Sequence, residues 1–98
     1  MKMVVESFEI KNTSGHRGQV HIRPVAGQLY PPTMLLECSR HMVNTLRYPL
    51  GTKFRAWVQL KQKTGCKPHL YCYYGNKIVV VSDEDAMSMI AEMNRGKV

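Results

Sequence analysis

The sequence predicts an α+β fold: one domain over residues 1–98, with a mostly antiparallel sheet of about five strands and two helices in the order ββαβββα. Three observations predict it. Five short stretches alternate apolar and polar side chains or are rich in β-branched and aromatic residues, as strands are. Two other stretches repeat apolar residues at helical spacing. The links between successive strands are short and carry Gly and Asn, which suits hairpins rather than crossovers. A partly closed barrel is the alternative, because the strands are short and strongly β-branched.

The first strand covers residues 4–11. Val4, Glu6, Phe8 and Ile10 lie on one side, Val5, Ser7, Glu9 and Lys11 on the other, and charge on both sides suggests an edge. Residues 12–18 form a turn, and residues 19–23 return as a second strand that Pro24 ends by removing a donor. A connector over 25–31 leads to a helix opened by Pro32 or Thr33, since a first-turn proline loses no intrahelical bond. Met34, Leu35, Cys38, Met42, Val43 and Leu46 supply its stripe, and Tyr48-Pro49 ends it.

The strand over 53–61 organises the rest. Phe54, Ala56, Val58 and Leu60 point one way and form a core face against the helix that holds Leu35 and Met42. On this reading Leu60→Ala costs about 2–5 kcal/mol. Lys53, Arg55, Trp57, Gln59 and Lys61 point the other way. A turn at Gly65 and a strand over 69–74 follow, then a turn at Gly75-Asn76. Residues 78–81 are apolar on both faces, which suggests a central or doubly covered strand. Ser82 caps the last helix, whose first turn holds Asp83, Glu84 and Asp85 at the positive end of the helix dipole. Ala86, Met89, Ile90 and Met93 are its apolar stripe.

Composition narrows the class of function. Hydrophobic residues make up 44% of 98, which excludes a disordered chain. No apolar run approaches the roughly 20 residues of a membrane span, and no signal peptide opens the sequence, so the reading is cytoplasmic. Three cysteines, Cys38, Cys66 and Cys72, are too few and too odd for a secreted scaffold. The net charge is +7, and no Asp or Glu occurs between Cys38 and Ser82. A one-signed middle attracts polyanions, although a basic balance also serves solubility alone.

One constellation stands out: Lys53, Arg55, Trp57 and Lys61 on one strand, with His69, Tyr71 and Tyr73 on the next. Basic side chains that track phosphates, with rings that stack on bases, are what single-stranded nucleic acid requires. The same residues also suit a second small core or a protein interface, including a homo-oligomer. Cys38-Ser39-Arg40-His41 and Cys66-Lys67-Pro68-His69 are Cys-x-x-His pairs, but their order is not that of a zinc finger, and Cys38 fits an apolar stripe. No phosphate-cradling glycine loop and no paired carboxylates appear in the middle of the chain. The expectation is a binding module rather than an enzyme, with no metal and no cofactor. A ligand pocket between helix and sheet is a third, lesser reading.

Pro31-Pro32, Glu37-Cys38-Ser39, the run Tyr48-Pro49-Leu50-Gly51-Thr52-Lys53-Phe54 and Leu70-Tyr71 resemble the pattern of small uncharacterised bacterial proteins carried on mobile DNA, of the integron gene-cassette kind. The resemblance covers the middle half of the chain. It implies a compact α+β fold and a homo-oligomer, and it carries no activity and no site residues.

Overall fold

A computed structural model describes residues 1–10, 19–37, 40–62, 64–65, 67–73 and 77–95. The chain is α+β, with a mostly antiparallel sheet and one α-helix. The strands are β1 (Lys2–Ile10), β2 (Gln19–Pro24), β3 (Leu36–Glu37), β4 (Lys53–Trp57), β5 (Gln59–Lys61), β6 (His69–Tyr71) and β7 (Val79–Val81), and α1 spans Asp83–Arg95. Their order in the sheet is β5-β6-β3-β2-β1-β4-β7, and only β3–β6 is parallel. Among the described residues no helix is long and apolar enough to cross a membrane.

Seven strands replace the expected five, and one α-helix replaces two. The expected helix after Pro32 is absent from the described residues. Leu36–Glu37 instead form β3 between β2 and β6, and Arg40–Val43 form one 3-10 turn. The apolar residues of the supposed stripe do not share a face: Met42 is buried, whereas Leu35 is 38% and Leu46 98% exposed. Helical stability in proteins comes mostly from packing an apolar face, and the sheet here takes Leu36 instead.

The expected strand over 53–61 divides at Val58 into β4 and β5. The ladder ends in two edges, β5 and β7, so the sheet is not closed and the partly closed barrel does not hold. It is nevertheless rolled. Five spacings of about 4.8 Å would separate β5 from β4 by roughly 24 Å in a flat sheet. Trp57 and Gln59 are two residues apart, at most about 7 Å. One bent stretch of chain therefore serves two distant places in the strand order.

The inside of the roll is the main core, built on Met3, Val5, Ile22, Phe54, Ala56, Val58 and Leu70. Cys72 joins it, and burial pushes its thiol pKa up, as suits a core residue rather than a nucleophile. Phe54, Ala56 and Val58 are buried as the alternation predicts, but Leu60 is 42% exposed. Along this stretch burial ends at Val58, because β5 is an edge strand paired with β6 alone among the described strands. The outer face carries a smaller core of Val4, Ala86 and Ile90, where α1 lies across β1. Ser82 caps that helix as its sequence predicts, accepting a hydrogen bond from Asp85 N–H at 3.1 Å.

Two edge assignments reverse. β1 is central, between β2 and β4, with Val4 and Val5 buried on opposite faces. β7 is an edge strand, although it is apolar throughout. The connector after β2 is more than a turn. The Gln28 side chain accepts a hydrogen bond from Val4 N–H at 2.8 Å and donates to Val4 C=O and Val25 C=O at 2.6 and 2.9 Å. It thereby takes the place of a strand neighbour where β2 stops. Gly27 has φ +98°, and a Cβ there would stand 3.3 Å from Ile90 Cγ2, so glycine admits both the turn and the helix. The turns expected at residues 12–18 and at Gly75-Asn76, and Cys38 and Cys66 of the Cys-x-x-His pairs, lie outside the described residues.

Candidate functional site

Strand alternation sends Lys53, Arg55 and Trp57 of β4 and Lys61 of β5 outward, as expected. Pairing fixes their neighbours. Across β1, Lys53 faces Glu6, Arg55 faces Val4, and Trp57 faces Lys2. Across β6, Gln59 faces Tyr71 and Lys61 faces His69. Residues directly opposite in antiparallel strands share a face, with Cβ atoms about 4.5–5.5 Å apart.

The seven expected site residues divide into three groups. Lys53 is enclosed by acids: its Nζ lies 2.9 Å from Asp83 Oδ1 and 3.6 Å from Glu6 Oε2. Glu6 also pairs with Arg23 at 3.0 Å. The Asp83 hydrogen bond, aided by the charges of Asp83 and Glu6, outweighs burial and holds the Lys53 ammonium above its ordinary pKa of 10.5. A raised lysine pKa stabilises the fold fully below the unfolded value and ceases to do so as pH rises through the folded one. Asp83→Asn is therefore expected to cost up to about 1 kcal/mol at neutral pH. That difference from wild type should shrink once the pH passes above 10.5, as read from urea midpoints at the two pH values.

The second group sits at the β5 end. Lys61 Nζ stands 3.8 Å from the centre of the Tyr71 ring, a cation–π contact. His69 Nε2 is 3.2 Å from Glu37 Oε2 on β3. The third group is Arg55, Trp57 and Tyr73. Trp57 is 55% exposed, Tyr73 is also exposed, and Arg55 is half-buried. Among the described residues no carboxylate pairs with Arg55, Lys61 or Lys2.

The acid-free middle of the chain is thus not acid-free in space, because β1, β3 and α1 bring Glu6, Glu37 and Asp83 to Lys53 and His69. What remains is an indole with Lys2 across from it, Arg55 before it and Lys61 beyond it. Sequence reasoning missed Lys2, since only the β1–β4 register places it there. Arrangements of this kind hold anions and flat rings; among the described residues no cluster of three or more His, Cys, Asp or Glu could hold a metal. A cleft of about 200 Å³ that shares Lys2 with this surface opens between Lys2, Met3, Leu29 and Met93, beside the end of α1. It takes in none of the seven residues. No protein-family model, no curated protein and no solved structure matches this chain.

Proposed function

We propose that the chain binds single-stranded nucleic acid on the outer face of β4 and β5, as a binding module rather than an enzyme. The observation that carries this is the exposed Trp57 set among Lys2, Arg55 and Lys61, three cations that no described carboxylate neutralises. A base stacks on the indole while the cations take the phosphates on either side. Tyr71 serves indirectly: its ring is covered by Lys61, so it positions a cation rather than a base. Lys53 has no part, because Glu6 and Asp83 already hold it.

The roles separate in a titration of labelled oligonucleotides at several salt concentrations. Trp57→Ala is expected to lower affinity by about 1–3 kcal/mol with little change in salt slope, since stacking releases few ions. Arg55→Ala and Lys61→Ala should each reduce the slope by about one. Lys53→Ala should leave it unchanged. Absence of binding by wild type at low salt overturns the proposal. The rings favour a second reading: Trp57 is 55% and Tyr73 46% exposed, and exposed aromatic side chains also suit a protein partner. On that reading Trp57→Ala abolishes association with a protein, and oligonucleotide binding is independent of the indole.

A further inference from the structure

We infer that the chain forms a two-fold dimer through the free edge of β7, with a second copy of itself as partner, by backbone pairing that does not use the Trp57 ring. Backbone hydrogen bonds alternate in direction along an antiparallel strand. Met1 and Val58 exchange two backbone bonds, both 2.7 Å. Val58 therefore points its backbone groups at β1, and in regular strands so do Ala56 and Phe54. Lys53 and Arg55 point theirs the other way, at their β7 partners Val81 and Val79. Val80, opposite Phe54, then turns its own N–H and C=O away from β4, toward an edge with which no described strand pairs.

That edge lacks the usual protections. It carries no charge and no proline within Val79–Val81, and Val80 is 52% exposed. The helix that follows does not cover it, since α1 crosses back over Val4 on β1. Among the described residues its shortness is the one restraint.

The edge is also complementary to itself. An antiparallel pair centred on Val80 sets Val80 against Val80 of the second copy, and the two exchange both backbone bonds. Val79 then lies opposite Val81, and Lys77, just before the strand, comes to the same end of the pair as Asp83, which opens α1 in the other copy. Opposite charges thus flank the valines at both ends, once on each side of the two-fold axis. Lys77 is exposed, and the Asp83 side chain is 81% exposed even with Oδ1 bonded to Lys53, so its second oxygen can accept a further cation. Both copies of α1 lie on the same face of the joined sheet and run away from the axis.

Analytical ultracentrifugation of the full chain from micromolar to millimolar concentration tests this. Wild type is expected to show a monomer–dimer equilibrium that weakens with salt. Val80→Pro removes a donor that the monomer does not use and should raise the dissociation constant at least about tenfold while circular dichroism stays native. Lys77→Asp and Asp83→Lys each set like charges at the same end of the pair and should dimerise less well. Mixed together they restore both opposite-charge pairs, so the mixture should dimerise more tightly than either variant alone. A wild type that stays monomeric throughout, a Val80→Pro variant that dimerises as wild type does, or a mixture no tighter than its components overturns the proposal. Trp57→Ala should leave the equilibrium unchanged; a loss of dimer there instead assigns the interface to the outer face and also overturns it.

Discussion

Phe54→Ala is expected to lower stability by about 3–5 kcal/mol, the largest effect of any single truncation in the sheet. Phe54 is fully buried and meets the Tyr48 ring edge-on, with centroids 5.1 Å apart. Its backbone lies between Val5 of β1 and Val80 of β7, so the cavity opens beneath a central part of the ladder. Little can move in to fill it, because Ala56 and Val58 beside it are small and the backbone at Phe54 is paired on both sides. Leu60→Ala should cost less than about 1 kcal/mol, since that side chain is half in solvent. Paired urea denaturations decide the matter through the difference in midpoints. Equal losses at the two positions would mean that β5 presents its other face.

Gln28→Leu is expected to cost about 2–4 kcal/mol, more than a connector residue ordinarily does. The replacement is of similar size but leaves the Val4 N–H and the Val25 C=O without their Gln28 partner, while Val4 C=O keeps only its bond from Val25 N–H. Val4 is fully buried under α1, so water compensates poorly there. Gln28→Glu gives a sharper result. A carboxylate can still accept from Val4 N–H but faces two carbonyl oxygens to which the amide donated. Those oxygens disfavour the charged form and raise the folded pKa of the new carboxyl above its usual value of about 4.3. A carboxyl with a raised folded pKa loses stability as pH rises through that value. The deficit of Gln28→Glu relative to wild type should therefore narrow on acidification, measured by thermal melts across pH. A deficit that does not change with pH would show that the side-chain amide is dispensable as a donor.

The fold was legible wherever local chemistry decided it. The β1–β2 pair, the inward row Phe54, Ala56 and Val58, and the helix capped by Ser82 each follow from side-chain alternation or a capping residue. Residues 34–46 misled because apolar spacing there satisfies a helix, while the sheet needed a strand between β2 and β6 and took Leu36. Leu60 misled for a different reason: alternation gives direction, but not how far along a strand the core extends. The outward row Lys53, Arg55, Trp57 and Lys61 was legible in the same way as the inward one. Which of those cations keeps its charge unpaired was not, since Glu6, Asp83, Glu37 and Lys2 arrive through pairings between remote parts of the chain.

The bend at Val58 also governs the time course of assembly. The Met1 amino group and Val58 meet across 57 residues of chain. Pairing of β1 with β2 can begin as soon as both have left the ribosome, but the second edge of β1 stays open until β4 has been made. Closing so long a loop costs entropy before any contact repays it, and chains dominated by such non-local pairings fold on the scale of milliseconds to seconds. Because β5 follows β4 after a single residue, the docking of β4 onto β1 also delivers the strand onto which β6 folds. One encounter thus sets up both ends of the sheet, and substitutions that weaken the pairing of residues 1–6 with residues 53–58 are expected to slow folding of the whole chain, as read by stopped-flow refolding.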